Sequence, residues 1–235
     1  MLDAILFDLD GTLLPMDNDY FTKVYFSYLA KAAEKWGYTD KEKLIKGIWA
    51  GVSSMVKNNG EKLNVDAFWE TFSVVLGRDC SDDIAKFDKF YENEFHNALS
   101  VTEEAPLAKR AVELAREKAK HVILATNPIF PRIATKSRLS WIGLTFEDFD
   151  FVTDYSNSSF CKPNPRYYEV FVEKFGLDPS NCLMVGNDVT EDFEAASSLG
   201  MSAFLITDHI INRENKEITC PCGSYADMVA YLENL

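Results

Sequence analysis

At 235 residues the chain is long enough to bury a substantial core, as one large domain or as a domain carrying a smaller inserted one. Its formal charge of −13 and pI of about 4.7 argue against an exposed nucleic-acid groove and against affinity for an anionic membrane surface. A local metal ion or lysine can still reverse the field inside one cleft, so a small anionic ligand stays open. The first residues lack the basic and apolar regions of a signal peptide, and no apolar run reaches about eighteen residues. The cysteines at 80, 161, 182, 220 and 222 lack Cys-x-x-Cys spacing, so a soluble cytoplasmic protein without disulfide framework or zinc site is expected.

Ala4 to Phe7 reads as a short buried strand that ends in Asp8-Leu9-Asp10-Gly11-Thr12-Leu13, with Asp10-Gly11 turning the chain. Two carboxylates at a strand end repel each other and lose hydration, which a cation or a shared reaction would offset. The alternative is a plain Asp-Gly hairpin turn. Apolar residues at helical spacing then predict helices over 20–36, 41–57, 65–77 and 82–98, the last capped by Ser81. Trp36, Trp49 and Trp69 fall in this stretch, implying an all-helical unit with its own aromatic core. Lys23, Trp49 and Arg78 read as packing or solvated surface of that unit rather than as ligand contacts.

Beyond about residue 105 helices alternate with short apolar strands. A helix over 106–120 leads into a strand at 122–125 that ends at Thr126-Asn127-Pro128. A short helix near 131–139, a strand at 151–153 and a helix over 165–175 follow, then a strand at 183–185 ending at Gly186-Asn187-Asp188. A helix to Leu199, a strand at 203–206 and a helix over 224–234 complete the chain; Cys220-Pro221-Cys222 reads as a turn rather than a soft-metal site. Such alternation predicts an α/β fold with a parallel sheet covered on both faces, and ligands in that architecture bind beyond the carboxyl ends of the strands. Asp8 and Asp10, Thr126 and Asn127, and Asn187 and Asp188 stand at those ends. Lys162, in Cys161-Lys162-Pro163-Asn164-Pro165, sits in a short loop before a helix that opens on proline, and Asp192 pairs with Asp188 on the turn into the next helix. Acids, hydroxyl and amide donors and one cation together suit phosphoryl transfer.

In order and character these four segments resemble the motifs of the haloacid dehalogenase-like (HAD) superfamily of hydrolases. The resemblance covers the chain in outline, with Asp8 to Leu13 its most specific part. It implies a Rossmann-like three-layer core over 1–14 and 101–235 with an inserted helical cap of the C1 type over 15–100; the interval from Asn127 to Cys161 is short for the larger cap type. It further implies a magnesium-dependent phosphatase acting on a small phosphorylated metabolite. In that reading Asp8 is the nucleophile that forms an aspartyl-phosphate, Asp10 the acid and base, and Lys162 the stabilising cation. Thr126 and Asn127 grip the phosphate; Asp8, the Asp10 carbonyl and Asp188 hold Mg2+; Thr12, Asn187 and Asp192 give support. Many relatives carry aspartate where this chain has Asn187, so either Asn187 or Asp188 reaches the metal, with Asp188 preferred for its charge. A sugar phosphomutase of the same fold, and a catalytically silent partner-binding protein, are the competing readings.

Overall fold

The computed structural model describes all 235 residues. Six parallel strands, β1 (Leu2–Phe7), β2 (Ala119–Leu124), β3 (Phe151–Val152), β4 (Cys182–Gly186), β5 (Ser202–Ile206) and β6 (Cys222–Gly223), form one sheet in the order β3-β2-β1-β4-β5-β6. Between β1 and β2 the chain makes only helices, α1 (Asn18–Glu34), α2 (Lys41–Val56), α3 (Asn64–Leu76), α4 (Ile84–Glu92) and α5 (Ala108–Lys118), with 3-10 turns around α4. Later connections supply α6 (Arg132–Trp141), α7 (Arg166–Phe175), the short α8 (Ala195–Ser197) and α9 (Tyr225–Glu233). No helix is long and apolar enough to cross a membrane.

The strands are apolar throughout because both faces are covered. Ile5 and Phe7, Val122 and Leu124, and Leu183 and Val185 face one apolar cluster with α5, α6 and α9. Ala4 and Leu6, Ile123, and Cys182 and Met184 face the other, with α7 and α8. The first cluster also takes in Phe21, Tyr25, Phe72, Phe90 and Phe95 from the helical stretch. That stretch has the aromatic core its tryptophans suggested, with Trp36 and Trp69 against Phe87 and Trp69 against Phe68 and Phe72, but this core is not separate: it runs continuously into that of the sheet. Two chain crossings join them, where Met16 bridges Thr102 and Glu103 N–H donates to Pro15 O at 2.9 Å.

Two elements differ from expectation. The helix over 82–98 is α4 flanked by 3-10 turns, and Ser81 does not cap it. Ser81 N–H donates to Asp79 Oδ1 in a turn of its own, while the Asp83 carboxylate is engaged by Arg78, Lys86 and Tyr38. The backbone then breaks at Asn93, with φ −124° and ψ −86°. At the other end of the chain, Cys222–Gly223 is not a turn but the edge strand β6, pairing with Leu205 and Ile206.

Candidate active site

The strand register assembles the site. Phe7 pairs with Leu124 on one side and Val185 on the other, so the residues just past β1, β2 and β4 emerge side by side. They open onto a cleft of about 230 Å³ whose wall includes Asp8, Asp10, Thr126, Asn127, Asn187 and Asp188 from the sheet and Phe21 and Thr22 from α1.

Lys162 reaches this cleft from the loop before α7 and is 1% exposed. Its Nζ donates to Asp8 Oδ1 at 2.9 Å and to Asp192 Oδ1 at 2.6 Å. Asp192 Oδ2 in turn accepts the backbone N–H groups of Asn187 (2.9 Å) and Asp188 (3.0 Å). Asp192 lies in a π-helical stretch, Val189–Glu194, where the expected α-helix is wound more loosely. Asp8 Oδ2 accepts from Thr12 Oγ1, which lies 3.4 Å from it and 3.2 Å from Asn187 Oδ1. Asn187 is anchored by donating to His209 O at 2.7 Å. Asp188 turns one carboxylate oxygen to the following helical turn, accepting Thr190 and Glu191 N–H at 2.8 and 2.9 Å; its other oxygen accepts no hydrogen bond.

Thr126 is fixed through its carbonyl, which accepts from Thr153 Oγ1 (2.6 Å) and Tyr167 OH (2.9 Å), leaving its hydroxyl on the cleft. Asn127 Nδ2 donates to Glu191 Oε2 at 2.9 Å. Asp10 is held by Arg138 of α6, whose Nη1 donates to Asp10 Oδ2. Arg138 is fully buried, its guanidinium 4.4 Å from the centre of the Phe130 ring.

Charge is out of balance here. Five carboxyl groups, Asp8, Asp10, Asp188, Glu191 and Asp192, face three cations: the buried Lys162 and Arg138, and Arg213 at the exposed rim. Burial, reinforced by the Asp192 and Asp10 carboxylates, pushes the Asp8 carboxyl up to about 7 against the pull of Lys162. Burial likewise raises Asp188, and takes Glu191 up to about 8. Burial opposes the charge on Lys162, but the Asp192 and Asp8 carboxylates more than offset it and hold its ammonium well above the usual lysine range. Of the four buried side-chain polar atoms without a hydrogen-bond partner in the whole chain, three are oxygens of this cleft: Asp10 Oδ1, Asn18 Oδ1 and Asn127 Oδ1. Unpartnered acceptors and surplus negative charge fit a hydrated divalent cation. No three His, Cys, Asp or Glu side chains gather into a cage.

The sequence profile of the haloacid dehalogenase-like hydrolases matches residues 2–200. The chain belongs to this family. Among curated relatives of this HAD-like hydrolase, the mouse protein acyl-CoA dehydrogenase family member 10 is 25% identical over 202 residues, 84% of the chain but 17% of that protein. The chain thus spans under a fifth of the mouse relative. A phosphorylated carbohydrates phosphatase of Thermotoga maritima is 26% identical over 212 residues, 90% of this chain and 88% of its own. A HAD-hydrolase of Bacillus subtilis bound to magnesium has the same fold, with a TM-score of 0.62 at 15% identity over 99% of both chains.

Sequence reasoning about this HAD-like hydrolase missed Arg138, Glu191 and the Thr153–Tyr167 pair behind Thr126. Arg138 left one trace: it shares a helix face with Ala134, Thr135 and Leu139, all buried, and a charge on an apolar stripe needs a partner. The close packing yields a direct prediction. A Cβ on Gly186 would stand 2.2 Å from Asp192 Oδ2 and 2.4 Å from its Cβ. Asp192 is pinned by Lys162 and two backbone amides and cannot retreat. Gly186→Ala is expected to destabilise the fold by about 1–3 kcal/mol, read from the denaturant midpoint; an unchanged midpoint would show that Asp192 yields.

Proposed function

We propose that the protein is a magnesium-dependent phosphatase that hydrolyses a small phosphomonoester through an aspartyl-phosphate on Asp8. The observation that carries the reading is the buried Asp8–Lys162–Asp192 chain opening onto the cleft, with Asp10 two residues from Asp8 and an unpartnered oxygen beside it. An Asp8 oxygen attacks phosphorus and the bond from phosphorus to the ester oxygen breaks. Asp10 gives the departing oxygen a proton, then takes one from the water that cleaves the aspartyl-phosphate. Arg138 keeps Asp10 in place for both transfers. Lys162, the Thr126 hydroxyl and the Asn127 backbone amide hold the non-bridging oxygens. The helical stretch over 15–100 acts as a cap, with Phe21 and Thr22 over the cleft excluding bulk water.

Asp8, the Asp10 carbonyl and the unpartnered oxygen of Asp188 would hold Mg2+. When bound, the ion supplies the positive charge that lets an anionic carboxylate meet an anionic phosphate. Free thiols at all five cysteines suit a reducing cytoplasm.

The test is phosphate release from a panel of phosphomonoesters with Mg2+ or EDTA. Release is expected with Mg2+ and lost with EDTA, and Asp188→Asn is expected to raise the Mg2+ needed for half-maximal rate by about tenfold or more. If Asn187→Ala raises it and Asp188→Asn does not, Asn187 takes the ligand role. Label exchange between sugar positions with little phosphate released would instead mark a mutase.

A further inference from the structure

A second cavity, of about 100 Å³, lies between the helical stretch and the loop that follows β2. It shares Thr22, Ile129 and Phe130 with the catalytic cleft, so the two spaces adjoin. Ile129 and Phe130 come directly after Thr126-Asn127-Pro128. A phosphate held at Thr126 and Asn127 thus directs its ester substituent along that wall.

The chemistry of the second space differs from the first. Thirteen of its sixteen lining residues are hydrophobic, and none is basic. Most of its hydroxyls are engaged: Tyr25 OH and Tyr91 OH bond each other at 2.7 Å, and Thr22 Oγ1 donates to Asn18 O at 2.7 Å, while the Tyr155 hydroxyl on the same wall is free. Trp69 Nε1 is the one buried donor there without a partner, on a residue 8% exposed. The single charged residue, Asp88, also borders a surface hollow with Glu92 and Lys136, which places it at the outer wall.

We infer that this cavity receives the leaving group, and that the substrate is a phosphomonoester of a compact, uncharged, largely hydrocarbon alcohol rather than of a sugar or other polyol. The inference rests on the phosphatase reading above. An apolar cavity of about 150 Å³ holds benzene, so 100 Å³ accommodates by proportion about four carbon atoms, a branched or unsaturated short chain. Such a group replaces water against aromatic walls. A polyol of the same size would bring several hydroxyls to a space with two free polar groups, Tyr155 OH and Trp69 Nε1, each hydroxyl left unpaired costing about tenfold in affinity. Hydrolysis consumes one water and yields the alcohol and inorganic phosphate, the alcohol leaving with the proton from Asp10.

The experiment compares kcat/KM for 2-methylpropyl phosphate, glycerol 3-phosphate and 2-aminoethyl phosphate with Mg2+ present. It is paired with tryptophan fluorescence of the Asp8→Asn protein titrated with the same three esters. The expected result is a preference of about tenfold or more for 2-methylpropyl phosphate, with tighter binding and a change in emission from Trp49 and Trp69. Val52→Phe, which grows a ring into the cavity, is expected to bring the ratio toward one. Equal or better use of the glycerol ester, or a preference for the aminoethyl ester, overturns the inference. Binding of 2-methylpropyl phosphate with the expected fluorescence change but no turnover of any ester keeps the cavity's role and defeats the phosphatase reading.

Discussion

Replacing Asp8 by asparagine is expected to abolish phosphate release, by about 10⁴-fold or more, while leaving the protein folded. An amide of the same shape keeps one acceptor oxygen for Lys162 and turns its NH2 toward Thr12 Oγ1, which then accepts, but it cannot form the acyl phosphate that the reaction requires. Burial already raises the Asp8 carboxyl to about 7, so removing its charge relieves desolvation, and stability should hold or rise at pH 8. The checks are phosphate release at saturating Mg2+ and a denaturant melt on the same samples. Undiminished metal-dependent turnover in this variant would remove Asp8 from the mechanism.

Lys162→Met is expected to be the most damaging single change to stability and to activity together. The methionine fills most of the space, but Asp8 and Asp192 then stand buried without a cation between them. Removing one member of such a buried pair costs about 3–5 kcal/mol. The pH dependence carries a definite sign. In the variant the Asp8 carboxyl, already raised by burial, loses the ammonium that pulls it down and is held further above its unfolded value, so the folded protein binds more protons than the unfolded one. The deficit against wild type should be larger at pH 8, shrink as the pH falls toward about 7, where wild-type Asp8 itself takes a proton, and level off below that. Urea melts at pH 5.5 and 8 measure it, and a deficit that grows toward acid would refute the assignment. Phosphate release should fall with the loss of charge at the transferring oxygens, and added alkylamine should not restore it at a position so fully enclosed.

Strand ends were the legible part of this chain. A buried parallel strand needs a continuous apolar run, so Asp8, Thr126 and Asn187 stood out as the first polar residues after Phe7, Ala125 and Gly186, and the register then aligned them. Lys162 and Asp192 were nameable only because they fell in order with those ends. Arg138 was hidden because a single arginine in a helix ordinarily marks a solvated face; its burial depends on Asp10 and Phe130 arriving from segments distant in sequence. The break at Asn93 was equally hidden, since apolar spacing runs through it, and Ser81 fails to cap because its N–H is taken by Asp79 while Asp83 is held by Arg78 and Lys86. The edge strand β6 was too short to show a period and owes its form to Leu205 and Ile206 beside it.

The single apolar cluster shared by the sheet and the helical stretch has a consequence for modularity. The helical stretch leaves and rejoins the rest of the chain at two adjacent crossings, beside Met16 and Thr102. Its inner surface is nevertheless cut to this sheet: Tyr25 meets Phe130, Phe21 meets Trp141, and Asn64 and Val65 N–H groups donate to Ser158 and Tyr155 carbonyls at 2.8 and 2.9 Å. Transplanted onto a foreign scaffold, the segment would carry an exposed aromatic face and two orphaned backbone donors. A graft that keeps these contacts has to move the loops after β2 and β3 together with the helices.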